Sequence, residues 1–263
     1  MIAADGVARK IAKKDFGPAR GPAVPLDQPR PAPNPPCSMA LSRFLPDDFD
    51  PARPVAVIAG RGEYPEAVVA RMRGLGLTPR LVELAGETRP DLKAVRMLAS
   101  IRERNAHTIF GAIVAEIEAR GCRVLDARSF LDDELAAEGV MTGGKQRAGA
   151  GELEHGIRMA RAVAGLDIGQ AVLVREGTVL LVEGFDGTDG LLRHAADFKA
   201  GGKVLVKVAK PGHDYRFDVP VFGAGTLARM AEAGVRTAAL ESDRTIVLGR
   251  GEVLREARNL GIE

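Results

Sequence analysis

What the sequence lacks narrows its reading before any motif is considered. Only two cysteines, Cys37 and Cys122, occur in 263 residues, enough for one bridge at most. A chain of this length needs no disulfide scaffold, so a reducing compartment is the simpler expectation. No apolar run reaches the length of a membrane-spanning helix, and residues 1–38 lack the apolar stretch and small-residue cleavage site of a secretory signal. The expected location is cytoplasmic. Charge of one sign is also missing: 37 Lys and Arg against 35 Asp and Glu leave +2, which gives no basic footprint for nucleic acid. The histidines at 107, 155, 194 and 213 show neither i,i+4 nor cysteine-rich zinc spacing, and there is no G-x-S-x-G elbow and no Walker spacing. Zinc hydrolases, serine hydrolases and phosphate-loop NTPases are disfavoured.

What is present is an ordinary globular balance, 46% hydrophobic and 27% charged, enough for one large domain or two small ones. Proline is uneven: 11 of the 16 fall at or before Pro54. Residues 16–36, FGPARGPAVPLDQPRPAPNPP, fix φ repeatedly and offer little to bury, so residues 1–53 are expected to be a disordered Pro-rich tail. Met39 reads as a candidate start with residues 1–38 upstream of it; a short binding tail is the alternative.

From Pro54 the pattern changes to strand and helix. VAVIAG (55–60) reads as a strand, a glycine turn follows, and a helix starts near Pro65 and stops at Gly74 or Gly76. Residues 77–86 read as a strand and 122–131 as a strand with its exit loop, with helices at 89–105 and 107–121 between them. This alternation predicts a parallel sheet covered by helices. The texture shifts near 133–140, where a boundary is expected, and 140–152 is a glycine-rich connector before a helix at 153–166. Residues 170–184 read as a hairpin turning at Glu176-Gly177. Strands at 203–210, 237–241 and 244–249 and helices at 225–235 and 252–261 complete a second α/β unit.

Three clusters carry chemistry. In AGRGEYP (59–65), Gly60 and Gly62 let a backbone approach phosphate beside a helix N-terminus, but the third glycine of the dinucleotide fingerprint is absent; a plain tight turn fits as well, and a dinucleotide-dependent oxidoreductase is the weakest reading. In VEGFDGTDGLLRHA (182–195), Glu183, Asp186 and Asp189 on a glycine loop can hold a divalent cation or orient hydroxyls, or else form an Asp/Gly turn with Thr188 or Asp189 capping a helix from Gly190. The most unusual stretch is KVAKPGHDYRFDVPVFGAGTL (207–227). Lys207, Lys210 and Arg216 can neutralise phosphate oxygens, while Asp214 or Asp218 can act as a base toward water or bind a metal. An Arg216–Asp218 surface pair is the plainer alternative.

Together AGRGEYP, LDIGQAVLVREGTVLLVEGFDGTD (166–189) and LVKVAKPGHDYRFDVPVFGAGTL (205–227) resemble the LpxI-type UDP-2,3-diacylglucosamine pyrophosphatases, from about Val55 to Glu263 and most closely from Leu166 onward. The resemblance implies an α/β protein of two small domains. Residues 54–135 would form a shortened Rossmann-like domain with a parallel sheet, and residues 136–263 the C-terminal α/β catalytic domain. It implies hydrolysis of UDP-2,3-diacylglucosamine to UMP and 2,3-diacylglucosamine 1-phosphate in lipid A synthesis, with Mg²⁺ or another divalent cation. Carried over by position, Asp218 in the R-x-D-x-P block is the catalytic residue and, with Asp189, a candidate metal ligand. Substrate contacts fall at Tyr64, Gln170, Ala171, Val172, Leu173, Val174, Arg175, Asp189, Thr245, Ile246 and Val247, beside the phosphate-neutralising Lys207, Lys210 and Arg216. The implied partners are the lipid-linked UDP-sugar, the inner-membrane surface as a peripheral contact, and a second copy in a homodimer. Acyl chains are expected in an apolar groove between the domains.

Two departures from the family pattern stand out. LAGETRPDLKAV runs straight through where members carry a further helix and strand, a deficit of roughly 25–35 residues on ordinary element lengths. Asn105-Ala106-His107 replaces a paired acidic turn. A catalytically degenerate protein that still binds the nucleotide-sugar lipid is the alternative function.

Overall fold

A computed structural model describes residues 41–59, 63–83, 114, 117–119, 121–216 and 219–263. Residues 1–40 of the expected Pro-rich tail, Gly60 and Gly62, the helix expected at 89–105, most of that at 107–121, and Asp218 lie outside the described residues. The tail expectation is corrected for residues 41–53, which pack on the core through Phe44, Leu45 and Phe49, with Arg43 paired to Asp243 at 2.6 Å. Those described belong to one unit, Ser38–Glu263, inside which the expected boundary near 135 and 136 falls.

The first elements follow the sequence closely. Strand β1 (Ala56–Ala59) and strand β2 (Arg80–Glu83) pair in parallel, joined through helix α1 (Glu63–Gly74). Glu63 and Glu66 in the first turn of α1 and Arg71 and Arg73 in the last complement its dipole. Pro65, Val68, Val69 and Met72 recur at helical spacing and form its buried face. Gly76, at φ 81°, ends it, and Leu77 N–H reaches back to the Met72 carbonyl at 3.0 Å.

The larger sheet has strand order β4-β3-β5-β7, where β3 is Ala171–Arg175, β4 Thr178–Val182, β5 Val204–Lys207 and β7 Thr237–Leu240. Strand β3 runs antiparallel to β4 and β5, and β5 is parallel to β7, so this sheet is mixed rather than parallel. The hairpin is what reverses it. Alternation sorts the side chains: Val172, Val174, Val204 and Val206 pack with Ala160 and Ala164 of helix α2 (Ala150–Gly165). Ala171, Leu173 and Leu205 pack on the other face with helices α3 (Gly187–Ala195), α4 (Ala224–Glu232) and α5 (Arg250–Leu260). Each such Val or Leu contributes about 1.5–3 kcal/mol by leaving water. A short parallel pair, β6 (Val221–Phe222) and β8 (Ile246–Val247), ties Val219 and Ile246 to the core formed by Met72, Leu77, Phe130 and Leu131.

Two local expectations are corrected. Residues 122–131 are not a strand, because Asp126 accepts the Arg128 N–H at 2.8 Å and its carbonyl takes the Ser129 N–H at 2.9 Å, which turns the chain. Helix α3 starts at Gly187 rather than Gly190, and neither Thr188 nor Asp189 caps it. The Thr188 hydroxyl is engaged by Glu183 instead.

Candidate functional site

Strand β3 begins, and β4, β5 and β7 end, at one edge of the larger sheet, as the pairings Ala171 with Lys207 and Lys207 with Leu240 require. Such strand ends are where α/β sheets place ligands. Gln170, Glu183, Lys207 and Glu241 all stand at or just past this edge, which is why separate sequence blocks meet there.

The first group is buried. Glu183 Oε2 accepts the Gln170 N–H at 2.8 Å, Oε1 accepts the Thr188 hydroxyl at 2.8 Å, and Lys207 Nζ donates to Thr188 Oγ1 at 2.9 Å. Asp186 and Asp189 point elsewhere: Asp186 Oδ2 lies 3.5 Å from His194 Nε2, and Asp189 Oδ2 lies 3.1 Å from Arg229 Nε. The three acids of the second sequence cluster are thus directed at three different partners. Among the described residues no group of three His, Cys, Asp or Glu is placed to hold a metal ion.

The second group is a strap from β5 to β6. Glu241 accepts the Ala209 N–H at 2.8 Å and pairs with Arg161 at 3.3 Å and Arg244 at 3.5 Å, fixing the start of the strap. Lys210 Nζ meets Asp167 at 2.9 Å, and Gly212, at φ 66°, supplies the left-handed position of the turn. Arg216 pairs with Asp214 at 2.8 Å and Glu118 at 3.5 Å. That guanidinium holds the Asp214 carboxyl below the usual aspartate range against a smaller opposing effect of burial, and Asp214 in turn raises Arg216. Tyr215 lies under the Arg128 guanidinium at 3.6 Å and edge-on to His213 at 4.7 Å, and burial pushes its hydroxyl up.

This strap is tied to the first turn of α1. Ala127 N–H donates to the Tyr215 carbonyl at 2.7 Å, and the Tyr64 hydroxyl donates to the Ala127 carbonyl. Thr245 is fully buried, and Ile246 N–H donates to the Pro220 carbonyl at 2.8 Å, which joins β8 to the residue before β6. The buried hydroxyls of Ser129, Tyr215 and Thr245 find no hydrogen-bond partner among the described residues.

Lys210 and Arg216 therefore lie on the strap, Gln170 and Lys207 stand at its β5 end, and Tyr64 reaches it through Ala127. Ala171, Val172, Leu173 and Val174 have fully buried side chains in the core, as do Ile246 and Val247 almost entirely, so only their backbones can face a ligand. Arg175, four residues and about 13 Å along β3, binds the Gly201 carbonyl at 2.8 Å at the opposite end of the sheet. Sequence reasoning missed Arg128 and Asp126, whose pairing at 2.6 Å carries Tyr215, and Glu241, a lone charge ending an apolar strand and thus a signal in plain view.

The profile of the LpxI C-terminal domain matches residues 137–263, and that of the LpxI N-terminal domain matches residues 83–134. The UDP-2,3-diacylglucosamine pyrophosphatase LpxI of Caulobacter vibrioides is 29% identical over 187 residues, a match that spans 66% of this chain and 66% of that protein.

Proposed function

The chain belongs to the LpxI family, and from that premise we propose that it hydrolyses the pyrophosphate of UDP-2,3-diacylglucosamine to UMP and 2,3-diacylglucosamine 1-phosphate in lipid A synthesis. The observation that carries the reading is the likeness to the named Caulobacter pyrophosphatase, combined with cations gathered at one sheet end beside the Asp218 block.

Cleaving a phosphoanhydride builds negative charge on the bridging oxygen and the leaving phosphoryl group, so fixed cations there lower the barrier. Lys207 is the first candidate, since it is held at the end of β5. Lys210 and Arg216 are paired with Asp167 and Asp214, and a phosphate would compete with those carboxylates. Asp218 is proposed to orient or deprotonate the attacking water. The divalent cation belongs to the same proposal: Mg²⁺ at such sites rests on one or two carboxylates plus substrate phosphates and offers charge neutralisation. Asp189 is a poor ligand while it pairs with Arg229, which leaves Asp218 as the proposed protein ligand.

A diacyl substrate has to be met at a membrane surface. Leu166 and Phe185, 72% and 64% exposed, flank the same sheet end together with exposed Ile168 and Val182, and support a peripheral contact there. Among the described residues no helix is long and apolar enough to cross a membrane. Incubation with UDP-2,3-diacylglucosamine and Mg²⁺ is expected to release UMP, and a chelator to stop it. Tight binding of the lipid with no UMP would move the reading to a binding protein.

A further inference from the structure

The hydrogen bonds around Lys207 have a fixed direction. An ammonium donates only, and a threonine hydroxyl has a single proton, so Lys207 Nζ donates to Thr188 Oγ1 at 2.9 Å and Thr188 must donate onward to Glu183 Oε1 at 2.8 Å. Glu183 is held in turn. Its other oxygen takes the Gln170 N–H at 2.8 Å, its own N–H donates to the Ala171 carbonyl at 2.9 Å, and a methyl group on Gly169 would overlap its carbonyl.

Electrostatics give the arrangement a purpose beyond packing. Thr188 lies in the first turn of α3, where the helix dipole disfavours a nearby cation. The other acids of that turn answer His194 and Arg229, and the Glu183 carboxylate, reached through the hydroxyl, helps to offset the ammonium. Lysine has a flexible four-carbon stem with rotamer freedom to lose. Here that freedom is spent in the folded protein, since Lys207 is only 8% exposed at the sheet end.

We propose that Glu183 and Thr188 are positioning residues that hold the Lys207 ammonium, charged and in one rotamer, for a phosphoryl oxygen of the substrate. The identity of that anion rests on the pyrophosphatase reading; the relay does not.

The test is a double-mutant cycle on the full chain, with Thr188→Val and Lys207→Met, followed both by UMP release and by calorimetric binding of inorganic pyrophosphate. Thr188→Val is expected to lower kcat/KM about 10²-fold, Thr188→Ser to restore it to within about threefold, and Thr188→Val to have no added effect on Lys207→Met. If Thr188→Val does not fold, Thr188→Ala removes the hydroxyl without adding a methyl. Losses that add independently, or a folded Thr188→Val with wild-type turnover and wild-type pyrophosphate binding, overturn the proposal. A wild type that binds pyrophosphate through this relay but releases no UMP sinks the pyrophosphatase reading and leaves the relay standing. A wild type that does neither sinks both.

Discussion

Lys203 joins two helix ends through one side chain. Its ammonium donates to the carbonyls of Ala195 at 2.9 Å, Phe198 at 2.7 Å and Ala233 at 2.6 Å, beside the C-termini of α3 and α4, where a cation suits the dipoles. Three acceptors engage all three ammonium hydrogens. Replacement by Met would strand those carbonyls in a nearly closed site, and Lys203→Met is expected to cost about 3 kcal/mol or more in denaturant unfolding. Burial lowers the lysine below its ordinary 10.5. With the folded value below the unfolded one, the unfolded chain binds more protons between the two, so this group's contribution to stability rises with pH across that window. Asp214 follows the same direction, at acid pH. Arg216 holds its folded value below the ordinary one, so its contribution is present above that ordinary value and is lost as pH falls through the lowered one. A carboxyl-carbon NMR titration should find Asp214 more than half ionised at pH 3.8, the ordinary aspartate midpoint; half-protonation or more at that pH would contradict the Arg216 pairing.

At the scale of elements, the β3–β4 hairpin was the most legible. Two β-branched runs around Glu176-Gly177 announce it, and the turn uses left-handed residues at φ 48° and 74°. Gly177→Val is expected to lower stability by about 1 kcal/mol or more through strain at that φ, whereas Gly177→Asn should cost less; equal unfolding midpoints would contradict the turn. Strands β5 and β7 and helices α1, α4 and α5 were equally plain because each carries its own apolar period. Residues 122–131 misled, since VL flanked by polar residues looks like a strand until Asp126 turns the backbone. Strand β6 is two residues long behind Pro220, too short for any period. For the candidate site, sequence marked the right loops but not the partners. An acidic side chain carries no sign of facing inward, and Glu183 does so because the backbone at Gly169 and Gln170 closes over it.

For the molecule as a whole, the strap of residues 209–216 is the connection that matters, running from the end of the larger sheet to Ala127 and, through it, to Tyr64. Loosening it should therefore affect a proposed site built from both halves of the sequence. Tyr64→Phe, which removes only the hydroxyl that reaches Ala127, is expected to lower kcat/KM about tenfold with a small loss of stability; wild-type kinetics would remove Tyr64 from the account. The central claim, a pyrophosphatase whose acidic residue follows this strap, is tested most directly by UMP release from UDP-2,3-diacylglucosamine by the wild type and by Asp218→Ala, with both proteins shown to be folded. The account predicts turnover by the wild type and none above background by the variant, and equal rates in the two would contradict it.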